Sequence, residues 1–147
     1  MNSSPFSIRG VIEGFYGVYY TALARDDLLR FMGNHGLNLY VYAPKNDRQH
    51  RLRWREPYPR FVMEQFGHSV RIAQAAGITF CYAIGVGLSI CYAAEDDFRF
   101  ITNKFRSFYD LGVRAFSIAL DDITPDFLHE EDRQRYGGDG GADHDAL

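Results

Sequence analysis

Phe116-Ser117-Ile118-Ala119-Leu120-Asp121-Asp122-Ile123 is a largely apolar run that stops on two adjacent carboxylates. The β-branched and aromatic residues, with Gly112 before them and Thr124-Pro125 after, read as a strand and not a helix. An apolar strand of this kind is expected to be buried on both faces, as in a parallel sheet. In α/β sheets and barrels, ligands collect at the carboxyl ends of the strands, so Asp121 and Asp122 are expected to face a site. The structural alternative is that Asp122 caps a helix starting near Thr124 while Asp121 pairs with an arginine.

Upstream the same grammar recurs twice. Gly36-Leu37-Asn38, Gly77-Ile78-Thr79 and Gly112-Val113-Arg114 are each glycine, apolar, polar, and each leads into a strand. Glycine there supplies the left-handed residue that closes a helix, and the apolar residue after it packs back on the last turn. Helices are therefore expected before each glycine. Leu28, Phe31 and Met32 mark the first, Phe66, Val70, Ala73 and Ala76 the second, and Phe98, Ile101, Phe105 and Phe108 the third. Strands are expected at about 7–13, 37–42, 79–84 and 115–120. This α/β alternation implies a parallel sheet with right-handed crossovers, either a small open sheet or the first half of a (β/α)8 barrel. Gly137 to Gly141 reads as a flexible stretch, and 142–147 as a helix that has only begun.

At 147 residues the chain has the length of one domain, and 1–147 is read as a single unit. Hydrophobic content of 46%, with 16% aromatic and 24% charged residues, excludes a disordered chain. A net charge of −3 gives no global reason to expect nucleic acid. The arginine-rich stretch Arg51-Leu52-Arg53-Trp54-Arg55-Glu56-Pro57-Tyr58-Pro59 could stack on bases. The preferred reading is a structured loop in which Glu56 pairs one arginine. Cys81 and Cys91 read as free thiols. No basic and apolar leader opens the chain and no apolar stretch is long enough to span a membrane, so a cytoplasmic protein with no membrane partner is expected. His35, His50, His68, His129 and His144 lack metal-binding spacing, so neither a metal nor another cofactor is expected.

The strand exits collect Glu13-Gly14-Phe15-Tyr16-Gly17, Tyr42-Ala43-Pro44-Lys45-Asn46-Asp47, Gly85-Val86-Gly87 and Asp121-Asp122. Polar, glycine-rich and aromatic residues together suit a sugar or small-ligand pocket. Phe15 and Tyr16 could wall it, or simply pack a glycine-bounded turn. Lys45, held by Pro44, could address a hydroxyl, or be solvated surface.

Taken in order, R-G-V-I-E-G-F-Y-G at 9–17, Y-A-P-K-N-D at 42–47, R-W-R-E-P-Y-P at 53–59 and A-L-D-D-I at 119–123 resemble one family. It is that of the O-GlcNAcase-type β-N-acetylglucosaminidases, retaining hydrolases that include bacterial hyaluronidase-like enzymes. The resemblance covers the N-terminal half of that family's (β/α)8 catalytic domain and implies a truncated form. It also implies that Asp122 is the general acid/base and that Asp121 orients and polarises the 2-acetamido group of the substrate. Gly14 and Lys45 match positions that contact the sugar, with Phe15 and Tyr16 as neighbours in the pocket wall. The substrate implied is a glycoconjugate bearing β-linked N-acetylglucosamine, opened through an oxazoline without an enzyme nucleophile. Val18-Tyr19-Tyr20 and Gly85-Val86-Gly87 depart from the family's usual residues. A half-barrel leaves two sheet edges open, which implies low stability and little activity unless two copies associate. The competing reading is a catalytically silent sugar-binding or interaction module.

Overall fold

The computed structural model describes residues 5–120, 123 and 126–137. Asp121 and Asp122, and the expected tail helix, lie outside them. The chain alternates β1 (Gly10–Glu13), α1 (Ala22–Asn34), β2 (Leu39–Tyr42), α2 (Arg60–Ala75), β3 (Thr79–Gly85), α3 (Glu95–Asp110), β4 (Ala115–Ala119) and α4 (Glu130–Tyr136). All three pairings are parallel and the strand order is β1-β2-β3-β4. That order separates the two architectures. A doubly wound sheet reverses direction at a switch point, whereas sequential right-handed crossovers put every helix on one face and roll the sheet toward a barrel.

The three glycines do what their positions require. Gly36, Gly77 and Gly112 have φ of 72°, 70° and 104°. After each, the next amide reaches back to the helix: Leu37 N–H to Met32 O at 3.0 Å, Ile78 N–H to Ala73 O at 2.8 Å, and Val113 N–H to Phe108 O at 3.1 Å. These are Schellman closures, with the apolar residue folded over the last turn. One device repeated three times sets the angle at which each helix hands the chain to its strand.

The registered rows define the two faces of the sheet. Glu13, Tyr42, Tyr82 and Phe116 lie in one row on the helix side, where Tyr82 stacks on Phe108 with ring centroids 3.7 Å apart and Tyr42 meets Phe66 edge-on. The other face carries Ile12, Val41, Cys81 and Ala115. The core thus sits between sheet and helices, around Leu29, Met32, Tyr40, Phe66, Tyr82 and Phe108.

Several expectations need correction. Strand β1 begins at Gly10 and β2 at Leu39; just before them the Asn38 side chain bonds the Arg9 N–H and the Ser7 carbonyl, alongside the backbone bond from Asn38 N–H to Arg9 O at 2.7 Å. Strand β4 is not buried on both faces: Ser117 and Ile118 are exposed, because among the described residues β4 has a neighbour only in β3. The strand that is buried throughout is β3, from Phe80 to Gly85. In α1 it is Leu29 and Met32 that are buried while Phe31 is exposed, and in α3 Phe98 is exposed, since each lies one step off the face that meets the sheet.

Candidate active site

The exits of β1, β2 and β3 are tied to one another by backbone. Lys45 N–H donates to the Phe15 carbonyl at 3.1 Å, Ala43 N–H to Glu13 O at 3.1 Å, and Gly85 N–H to His50 O at 2.9 Å. Asn46 Oδ1 accepts from Gly17 N–H at 3.2 Å. The Arg51 guanidinium lies over the Tyr16 ring and reaches its hydroxyl at 3.3 Å. The fold therefore brings Gly14, Phe15 and Tyr16 together with Lys45 on one rim, with Phe15 and Tyr16 exposed and Lys45 half-buried.

Asp47 anchors that rim. Its carboxylate is buried and accepts from Tyr42 Oη and Tyr58 Oη, each at 2.6 Å, and from the amides of Gln49 at 2.9 Å and His50 at 3.3 Å. Burial, then the Asp47 charge, push the Tyr42 hydroxyl far above its usual range, so it stays a donor. His50 is buried too, and burial lowers its pKa despite the contact of Nδ1 with Ala83 O at 2.8 Å. A neutral ring donating from Nδ1 fits both facts.

Glu13, the first residue of the β1 exit, does not face the site. Its side chain points to the helix layer and is fully buried, accepting from Tyr20 N–H at 2.8 Å, from Arg25 Nε at 3.2 Å and from the Tyr40 hydroxyl. Burial opposes the Arg25 charge, but Tyr40 and Glu13 outweigh it and keep the guanidinium protonated. This pair fixes the turn from β1 into α1.

The arginine-rich stretch is a structured loop. Arg53 pairs with Glu56, Trp54 is buried with Nε1 on Ser89 Oγ at 3.0 Å, and Arg55 forks onto Asp97. Lys104 Nζ binds the carbonyls of Gln49 and Glu56 from below. Burial lowers its pKa to about 8.

Asp121 and Asp122 are outside the described residues, yet both flanks are placed. Gly87 at the β3 exit has no room for a side chain, since a methyl group there would overlap Ile123 Cγ2 and lie 3.7 Å from Leu120 Cα. The residues on either side of the acid pair thus pack on the β3 exit. A cavity of about 400 Å3 lies elsewhere, between the β1–α1 turn and the start of α2, lined by Tyr20, Arg25, Tyr42, Asp47, Tyr58 and Phe66 among others. Gly14, Phe15, Tyr16 and Lys45 do not line it. Enclosure there reflects a gap between packed helices, whereas the strand exits form an open rim with one wall.

Sequential parallel strands, helices on one face, and polar glycine-rich exits define a portion of a (β/α) barrel. The β-N-acetylglucosaminidase family model matches residues 9–147, and the chain belongs to that family. It is 37% identical over 114 residues to the Protein O-GlcNAcase of Rattus norvegicus and equally to that of Mus musculus, covering 78% of this chain and 12% of each relative. It superposes on a mutant of the Thermobaculum terrenum O-GlcNAc hydrolase with a TM-score of 0.87 and 40% identity, over 90% of this chain and 29% of that one. The chain therefore spans about an eighth of the length of those curated relatives. Among the described residues no helix is long and apolar enough to cross a membrane, and both cysteines are free.

Proposed function

We propose that this chain contributes the acid pair and one wall of a site that removes β-linked N-acetylglucosamine from a glycoconjugate with retention. The supporting observation is the joined rim: Lys45 is fixed to Phe15 beside Gly14 at the carboxyl ends of β1 and β2, and in sequence Asp121 and Asp122 follow directly on the carboxyl end of β4. In this reading the acetamido oxygen of the sugar attacks the anomeric carbon and the glycosidic bond breaks. Asp122 gives its proton to the leaving oxygen. Asp121, ionised, accepts the acetamido N–H and balances the positive charge of the oxazoline. Asp122 then takes a proton from water as it opens the ring. Lys45 donates to a sugar hydroxyl, the Gly14 backbone approaches the ring, and Phe15 and Tyr16 pack against its apolar face.

Aryl β-N-acetylglucosaminides test this assignment in the enzyme with its barrel completed. Asp122→Ala is expected to lose turnover most severely on poor leaving groups and least on acidic phenols, which depart without a proton. Asp121→Ala should slow both alike. Unchanged activity in Asp122→Ala would sink the reading, and sugar binding by the unsubstituted protein without turnover would favour the silent module.

A further inference from the structure

A second chemical cluster lies away from the rim. Cys91 in the loop between β3 and α3, His129 at the N-cap of α4, and Glu131 in its first turn bring ligand atoms within 4.8 Å of one another. We propose that these three residues bind a zinc-like divalent cation that staples α4 to the β3–α3 loop.

The donor set fits a borderline metal: one thiolate, one imidazole and one carboxylate are zinc's usual protein ligands. Tetrahedral zinc ligands stand about 3–4 Å apart, so small side-chain rotations close the site. The His129 ring is already oriented, with Nε2 at 3.1 Å from the Ser89 carbonyl. An N–H donated there leaves Nδ1 with its lone pair, the arrangement found where a ligating histidine is held by a backbone oxygen.

An independent observation points the same way. Asp132 is fully buried beside the cluster; its Oδ1 accepts from Ala93 N–H at 2.7 Å and from the Cys91 thiol at 3.5 Å, while Oδ2 has no hydrogen-bond partner among the described residues. Among the described residues no basic side chain pairs with it, and Arg55 is committed to neighbouring Asp97. A buried carboxylate left half-satisfied is costly, and a nearby cation relieves it. On binding, Cys91 loses its thiol proton to solvent and the sulfur–metal bond forms, so the thiolate and the Glu131 carboxylate balance the ion's two charges. No spacing motif reveals this site, because its ligands come from two segments that meet only when α4 folds back. The staple would bracket the stretch of chain that contains Asp121 and Asp122.

Cobalt(II) added to chelator-treated protein is the direct probe, since a thiolate–cobalt band needs no glycosidase activity. One equivalent should saturate the band, zinc should displace it, and zinc should raise the melting temperature. Cys91→Ser should abolish the band while Cys81→Ser leaves it intact; His129→Ala should weaken binding at least tenfold. Glu131→Gln, at an exposed helix position, should also weaken binding, and it keeps the test valid if the cysteine variant fails to fold. Absence of a saturable band, or a band of unchanged affinity in Cys91→Ser or Glu131→Gln, overturns the proposal.

Discussion

At the scale of single residues, the buried polar groups decide most. Asp47 holds two tyrosine hydroxyls and two amides, so truncation leaves four donors unpaired in the interior. Asp47→Ala is expected to cost about 3 kcal/mol or more in denaturant unfolding, and Asp47→Asn less, because the amide keeps one acceptor oxygen. Lys104 gives a pH signature. Burial depresses its folded pKa to about 8, below its ordinary value of 10.5, so between pH 8 and 10.5 the unfolded chain binds a proton that the folded chain lacks. Stability from this group is therefore full above the unfolded pKa and falls as pH drops toward 8, by at most about 1.4 kcal/mol per pH unit. Lys104→Met should remove that slope; the buried tyrosines, held protonated in both proteins, cancel in the comparison. Equal slopes for the two proteins would show that Lys104 is not desolvated as described.

At the scale of elements, the three Schellman glycines make a graded prediction. Alanine at Gly36 or Gly77 must adopt φ near 70°, which costs about 1–2 kcal/mol each. Gly112→Ala should cost more, since its φ is 104° and a methyl group there would press on the Gln74 amide at 2.7 Å. Urea midpoints with unchanged m-values would check the order. These glycines also explain why the alternation of elements was legible in the sequence: each closure is local, written in three consecutive residues. The glycine-bounded turn at the exit of β1 was legible for the same reason. Glu13's turn toward α1, the Asp47 hub and the Cys91–His129–Glu131 cluster were not, because each joins residues from separate segments. A period of two identifies the faces of β1 but not which one meets a helix, and an exit carboxylate such as Glu13 reads alike either way.

At the scale of the whole molecule, the sheet has one face under the helices and another that is open at its margins, at Ile12 and Ser117, while Cys81 and Ala83 in its middle are buried. Helices cover the row of Glu13, Tyr42 and Tyr82, while Ile12 on the opposite face is 67% exposed. Among the described residues, β1 and β4 each have a single neighbour, which leaves ladder groups available for pairing at both edges. In a closed barrel that face is packed with side chains and those edges meet further strands. The 147-residue chain by itself is accordingly expected to associate through this surface. Sedimentation should show a species that grows with concentration. Ile12→Lys, which places a charge on the open face without touching the helix-side core, should shift the equilibrium toward monomer at least tenfold. A chain that stays monomeric at all concentrations and unfolds cooperatively would mean that four parallel strands and one helix layer suffice here, and the open face would then need another explanation.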